Sequence, residues 1–165
     1  MKNLLFFAIC LLFFSKSIFA QVSKVIPPDA DDFYNKSMPL LRPQVKDIVL
    51  TTAKAIENRK TNADSLSKVL SANNALKGIS NNDIQGIIVL IMVQASKDAD
   101  ANLKRMVLEI SHKNENKKES QEEINEAQNL KLQMIKDRKS DMAEEVSYVM
   151  KKIEGSQQNI INNLK

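Results

Sequence analysis

The residue spacing most suggestive of chemistry is Glu109-x-x-His112, because such a pair places two metal ligands one helical turn apart. Helical bundles that hold two iron ions use two of these pairs, together with two further glutamates from facing helices. His112 is the only histidine of the 165-residue chain, so a second pair cannot arise within one molecule. The sequence therefore predicts no metal and no cofactor, and a helix end whose dipole His112 complements.

Carboxylates cluster at two places, Asp98 with Asp100 and the row Asp137, Asp141 and Glu145. Paired carboxylates carry out general acid–base catalysis when burial separates their pKa values. Here lysines alternate with the acids, as on a solvated helix surface, and the row is mildly repulsive unless a basic partner faces it. The chain also lacks a Gly-rich phosphate loop and the G-x-S-x-G and H-E-x-x-H motifs. We therefore expect a protein that is not an enzyme.

These side chains must be positioned by helices, and the clearest helical pattern covers residues 80–112. Its apolar positions are Ile84, Ile88, Met92, Ala95, Ala99, Leu103, Met106 and Ile110. Their steps of three and four residues keep one helix face apolar. Ser80 and Asp83 have the spacing of a capping box. The pattern predicts a central core helix over residues 81–112.

The first twenty residues have the pattern of a bacterial export signal. Lys2 precedes an apolar run over residues 4–14, and Ala20 supplies a small residue for cleavage. The apolar run is shorter than the ~20 residues that a membrane-spanning helix needs. The sequence predicts a cleaved Sec-type signal peptide at 1–20, no stable membrane span after cleavage, and a periplasmic or extracellular protein.

Removal of residues 1–20 changes what the composition allows. Cys10 is the only cysteine, so the exported chain would have no disulfide, reactive thiol or thiolate metal site. Loss of Lys2 and Lys16 lowers the basic residues from 24 to 22, against 20 acidic ones, and the net charge from +4 to +2. A nucleic-acid-binding protein needs a basic face and stacking rings, so no nucleic-acid partner is expected.

A heptad pattern predicts one helix over residues 43–77. Its seam has Arg59 at an a position and keeps its phase through a polar middle. Thr61 or Asn62 could cap a second helix there, but the continuous phase favours a single one. Gly78 is placed as the left-handed residue that ends the helix. The short connection that follows makes the central helix an antiparallel neighbour.

A third seam predicts a helix over residues 120–154, with Lys139 at an a position where it can fix register or partner. Residues 21–42 form a Pro-containing leader, which either docks as a short turn or remains a tether, and residues 155–165 form a tail. The fold class predicted for residues 43–154 is all-α. We expect an elongated up-down-up three-helix, coiled-coil-like bundle, formed by an antiparallel helical hairpin and a third helix.

Five methionines stand at helical spacing in these predicted helices. They are Met92, Met106, Met134, Met142 and Met150. Most methionines at such spacing belong to a core, and we expect a core role for these. The alternative is a soft and adaptable binding surface.

The apolar block 84–93 is the predicted interaction surface. Its side chains surround most of the helix, and two antiparallel neighbours cover about two-thirds of it. Gly86 would let another backbone approach closely. The sequence predicts self-association, as in a homo-oligomer, or binding of a helical partner through Ile84, Gly86, Ile87, Leu90, Ile91 and Val93. The alternative is that the chain's own ends fold back as cover through Phe33, Tyr34, Ile160, Ile161 and Leu164.

Two families resemble this arrangement of an export signal and long helices. The chain broadly resembles the periplasmic holdase chaperones that cradle outer-membrane proteins, but residues 21–42 show no pattern for that family's strand-rich oligomerisation segment. It is also similar to the filament and tip proteins of type III secretion, which normally lack a cleaved signal such as 1–20. Neither resemblance assigns residues. We expect a non-catalytic exported protein that acts through helix–helix association, with a holdase-type chaperone as the alternative.

Overall fold

The computed structural model describes the chain over residues 26–57, 59–114 and 121–165, apart from the side chains at 111–114 and 121–127. The predicted signal peptide 1–20 lies outside the described residues. Within them every element is helical, which confirms the all-α class.

Six α-helices succeed one another in the described ranges, whereas the sequence predicted three. They are α1 (Pro28–Ser37), α2 (Pro43–Ile56), α3 (Ala63–Ser71), α4 (Asn81–Asn114), α5 (Gln121–Lys152) and α6 (Gln157–Leu164). Short 3₁₀ turns at Met38–Leu40 and Asn74–Leu76 follow α1 and α3. The described elements are therefore all helical and pack against one another, but the simple up-down-up three-helix bundle is not confirmed.

The largest correction concerns the predicted helix 43–77, which is interrupted between α2 and α3. Asn62 caps α3, because its side-chain oxygen accepts a hydrogen bond from the backbone N–H of Ser65 at 2.8 Å. Arg59, predicted in the seam, is exposed in the interruption. The alternative of a second helix capped at Asn62 thus describes the structure. Continuity of heptad phase does not require continuity of the helix, because two helices on one core can share a period.

Ser80 caps the start of α4 with one of the two hydrogen bonds of a capping box, and its hydroxyl also binds the Asp83 carboxylate. Ser80 Oγ accepts the backbone N–H of Asp83 at 3.2 Å and donates to the carboxylate of the same residue at 2.7 Å. Gly78, just before it, has a φ of +88°, the left-handed conformation that ends the preceding segment. Gly155 has a φ of +77° and separates α5 from α6 in the same way.

α4 is the helix against which the rest of the chain packs. Helices α1, α2, α3, α5 and α6 all contact it, and its contact with α5 is the most extensive. The physical reason is the composition of its first half, which is apolar on every side and needs cover on every side.

The apolar interior is divided into two clusters. The larger cluster joins α1, α2, α3 and α6 with the first half of α4 and the end of α5. We call this part, residues 26–57, 59–98 and 140–165, the head. The smaller cluster lies between α4 and α5 alone and consists of Ala99, Leu103 and Ile135, with Met106 and Leu132 half-buried against them. We call residues 99–114 and 121–139 the arm, in which the two helices are antiparallel.

Both chain ends that the structure describes are docked on the head. The backbone N–H of Arg42 donates to the carbonyl of Leu164 at 3.0 Å, which joins the end of the leader to the end of α6. Phe33 of α1 and Ile160 of α6 are buried in the larger cluster. The described part of the leader is therefore a docked helix rather than a tether.

Candidate association surface

The residues predicted to bind a partner lie inside the head. All six are buried within the chain itself: Ile84, Gly86, Ile87, Leu90, Ile91 and Val93. Residues of α1 and α6 belong to the same cluster and supply the cover that two neighbouring seams could not. The prediction of an exposed surface at this block is corrected accordingly, and the alternative in which leader and tail fold back describes the structure.

Gly86 does permit a close approach, but the approaching element is α6 of the same chain. A Cβ atom at position 86 would overlap Cγ2 of Ile160 and would stand 3.5 Å from Cζ of Phe33. The glycine therefore serves the fold of the head. Its sequence signal, a helix-disfavouring residue in mid-helix, indicated close packing without indicating which partner packs there.

A buried carboxylate holds α6 to the start of α4. Asn163 Nδ2 donates to the two carboxylate oxygens of Asp83 at 3.2 and 3.3 Å. Ser80 Oγ donates to the same carboxylate, and the N-terminus of α4 favours its negative charge. Besides its hydrogen bonds with Ser80, Asp83 therefore binds Asn163 of α6, a contact that its spacing from Ser80 does not predict.

A polar network fixes α1 to α4. The hydroxyl of Tyr34 donates to Gln94 Oε1, and Gln94 Nε2 donates to Asp98 at 2.8 Å. Lys97 pairs with Asp31 at 2.7 Å, and its Nζ lies 5.0 Å from the centre of the Tyr34 ring. Burial raises the pKa of Tyr34 above its usual 10.0, and the nearby carboxylates of Asp98 and Asp31 raise it further.

The arm exposes large apolar side chains on its outer sides. Leu108 is 60%, Leu130 64% and Met134 46% exposed. The head exposes large apolar residues too, but one on each of four elements, at Leu40, Leu50, Val69 and Tyr148. Scattered single residues of this kind are normal on protein surfaces. In the arm, by contrast, Leu130 and Met134 are one turn apart on one helix.

These apolar residues belong to two rows at helical spacing. The α5 outer stripe consists of Leu130, Met134, Asp137 and Asp141, spaced by four, three and four residues. The α4 outer stripe consists of Ala101, Lys104, Arg105 and Leu108. Residues at such spacings share one helix face. All are exposed except Asp141, which is half-buried, so both stripes face away from the seam between the two helices.

The two clusters meet at an ion pair whose lysine is buried and whose aspartate is 36% exposed. Lys139 Nζ donates to the carboxylate of Asp100, and the lysine side chain is only 3% exposed. Along α5 the pair lies between Ile135 of the arm and Met142 of the head. The sequence prediction that Lys139 can fix register has its geometry here, because the pair links α4 to α5 at one level.

The acidic row of α5 also has partners. Gln133 donates to Asp137 at 2.7 Å, and Lys60 pairs with Asp141 at 3.1 Å. Glu145 accepts the backbone N–H of Ala63 at 2.9 Å, at the N-terminus of α3. The contacts of Asp141 and Glu145 attach the segment from residue 59 through α3 to α5, which is a structural use of residues that could have suggested catalysis.

The metal-ligand spacing lies at the outer end of the arm. Glu109 is exposed, and the side chain of His112 lies outside the described ones. Among the side chains that the structure describes, no group of three or more His, Cys, Asp or Glu residues is arranged to hold a metal ion. The described helices include none that is both long enough and apolar enough to cross a membrane.

Sequence reasoning missed the outer stripes. The sequence pattern favours a core position for Met134 and gives Leu130 no special place, because Leu132 and Ile135 already complete the seam. The signal that could have revealed the α5 outer stripe is the pair Leu130 and Met134, which forms a second apolar row on a different face of α5 from the seam. Compared with protein-family models, with curated proteins and with solved structures, the chain shows no match.

Proposed function

We propose that this protein is a non-catalytic exported helical protein that acts through helix–helix association with another protein, in a structural or adaptor role. The arm is the part that binds. The observation that carries this proposal is a difference in burial between the two regions. The apolar block of the head is buried by other helices of the same chain, whereas large apolar side chains of the arm are exposed.

A two-helix hairpin can bury only the side chains along one seam. A further helix packed on the α5 outer stripe would cover Leu130 and Met134, as neighbouring helices do in bundles of three or more. Burial of apolar surface is worth roughly 25 cal/mol per Å², so each side chain gives a modest but real gain on association. The arm is therefore built as an incomplete bundle.

The head supplies the support that such a surface needs. It holds both arm helices at their bases, and the pair of Asp100 with Lys139 fixes their register at the junction. The stripes are thereby presented on two long helices in a defined mutual orientation. Pre-organisation of this kind lowers the entropy cost of association.

Site-specific cross-linking tests the proposal with a matched control. A photo-reactive amino acid replaces Leu130 on the arm or Val69 on the head, both of which are 64% exposed in the wild-type chain. Cells that produce either variant are irradiated, and adducts are separated by size. We expect a discrete adduct from position 130 that is lost when Met134→Glu is added, and none from position 69.

Equal labelling at both positions, or no adduct from either, contradicts the proposal. Loss of the Leu130 adduct with retained helicity in the Met134→Glu variant ties the binding to the stripe rather than to folding. Because Met134 is 46% exposed, the added charge is expected to leave the helices intact.

A holdase-type chaperone for unfolded or envelope proteins is the second candidate. The observation that favours it is the exposure of Met134 beside charged residues, since methionine adapts to varied partners. A holdase would suppress aggregation of a denatured test protein in proportion to its own concentration. Suppression that Met134→Glu abolishes would favour this candidate over a single defined partner.

A further inference from the structure

We propose that the partner of the arm is a second copy of this chain, bound through unlike faces. The α4 outer stripe of one copy packs against the α5 outer stripe of the next. This inference rests on the proposed function, because it names the partner that the arm binds.

The charges on the two stripes are complementary. The α4 outer stripe carries Lys104 and Arg105 beside Leu108, whereas the α5 outer stripe carries Asp137, and Asp141 already paired with Lys60, beside its apolar residues. Two α4 stripes, or two α5 stripes, would place like charges opposite one another, which disfavours contact between identical faces. Unlike stripes place opposite charges together and bring their apolar residues into contact.

One alignment satisfies both the charges and the apolar residues. With the two helices antiparallel and Leu108 opposite Met134, Arg105 stands level with Asp137, with Lys104 one residue away, and Ala101 stands opposite Asp141. In a parallel alignment that places Lys104 opposite Asp137, Leu108 would face the carboxylate of Asp141. The antiparallel alignment is also the sense in which α4 and α5 pack within the chain.

The flanks of this alignment agree with it. Glu109 lies beside the α4 outer stripe and Lys131 beside the α5 outer stripe, and both are exposed. When Leu108 faces Met134 in the antiparallel arrangement, these two residues lie at neighbouring levels on the same side of the contact. In antiparallel helix pairs such flanking positions face one another. The flank thus adds a pair of opposite sign.

Association through unlike faces does not close after two copies. A copy that has bound through its α4 outer stripe still presents its α5 outer stripe, so the assembly grows into a ring or an open array. The contact is small and belongs to the class of weak interfaces, so copies are expected to associate at a protein concentration of about 100 μM. It should weaken as salt rises from about 50 mM to about 500 mM, because the exposed charges are then screened.

Two variants that each block one face give a sharp test. Leu108→Glu blocks the α4 outer stripe, and Met134→Glu blocks the α5 outer stripe, with the same charge so that the blocked faces do not attract each other. Sedimentation velocity on the chain without residues 1–20 is expected to show concentration-dependent oligomers for the unmodified protein and monomers for each variant alone. An equal mixture of the two variants is expected to give a one-to-one dimer through the remaining intact faces.

The controls separate this inference from folding and from the proposed function. Circular dichroism should be unchanged in both variants, and Val69→Glu on the head should leave the oligomers intact. Variants that each dissociate but stay monomeric when mixed would overturn the pairing of unlike faces. An unmodified protein that is monomeric at every concentration, while position 130 still cross-links to a different protein, would overturn the second copy and leave the proposed function standing. If the protein neither self-associates nor cross-links at position 130, this inference and the proposed function are both overturned.

Discussion

The head and the arm are built from the same two long helices, yet they differ in what covers them. In the head, the first half of α4 is apolar on all sides and is enclosed by five helices. In the arm, α4 and α5 pack mainly on each other, through a small cluster of three buried residues, and Asn102 of α4 donates a hydrogen bond to Glu57 of the head. The number of neighbouring helices, rather than the helix itself, therefore decides whether an apolar residue is buried or exposed.

Matched apolar-to-aspartate changes should show this difference at its largest. Ile88→Asp places a charge among fully buried apolar side chains of the head and should lower the free energy of unfolding by several kcal/mol, melting much of the helix signal. Leu130→Asp makes the same kind of change on the exposed arm and should shift it by less than about 1 kcal/mol. Urea titrations followed by circular dichroism at low protein concentration measure both. Similar losses would mean that the arm is buried as deeply as the head.

The junction between the two regions should respond next most strongly. Asp100→Ala removes the carboxylate that pairs with the buried Lys139 and should cost about 1.5–3 kcal/mol of stability. Adding Lys139→Met should recover part of that loss, because the lysine charge is then no longer buried. The control is Asp137→Ala, an exposed acid of the same arm, with an expected change below about 0.5 kcal/mol. An Asp100→Ala variant as stable as this control would show that the junction does not need the pair.

A single methyl group should have opposite effects in the two regions. Gly86→Ala brings a Cβ into Ile160, and an overpacking cost of about 1–3 kcal/mol should outweigh the gain of up to about 1 kcal/mol in helix propensity. On the arm, Ala101→Gly removes a methyl group from an exposed helical position. This change should lower the free energy of unfolding by about 0.5–1 kcal/mol, because glycine loses more conformational freedom than alanine when the helix forms.

A double-mutant cycle tests the cause of the Gly86 effect. Ile160→Ala combined with Gly86→Ala should destabilise the head by less than the two single changes added together, since the overlap is then relieved. Strict additivity of the two free-energy changes would show that α6 is not the element that meets position 86.

The smallest expected effect is the alkaline titration of Tyr34, which reports the docking of α1 on the head. Burial, aided by Asp98 and Asp31, raises the pKa of this phenol in the folded state. The folded protein then holds the proton more tightly than the unfolded chain does, so this stabilisation is complete below about pH 10 and is lost as pH rises through the folded-state pKa.

Phenolate absorbance measures this titration directly. The chain has two tyrosines, so in a Tyr148→Phe variant the signal belongs to Tyr34 alone. The midpoint in the folded protein should lie above 10.0, the usual value for tyrosine, and should fall towards it in urea. A midpoint at or below 10.0 in the folded state would mean that α1 leaves the phenol in water.

The interruption between α2 and α3 shows how a correct local signal can be outweighed. Asn62 was recognised as a possible cap, and in the structure it is one. The prediction of a single helix rested on heptad phase, but phase records only which residues face the core. Glu145, which lies on another helix, also holds the start of α3, because its carboxylate accepts the backbone N–H of Ala63. No pattern within residues 43–77 contains that information.

The outer stripes of the arm show the converse case. Leu130 and Met134 have the same spacing as core residues, and the sequence pattern alone does not separate a second apolar face from a first. The decision depends on whether a neighbouring helix reaches that face, and no described neighbour does so at Leu130, which is 64% exposed. Exposure is therefore a property of the assembled chain.

Local sequence specifies the features that depend on residues within a few turns of one another. These are the helical class, the cap at Ser80, the left-handed Gly78 and the central place of α4, because caps and periodicity act along one helix. Packing between distant segments, in contrast, brings α1 and α6 over the block around Gly86 and Lys139 to Asp100. Those contacts join residues far apart in the chain, where burial rewards any apolar cover and does not specify which segment supplies it.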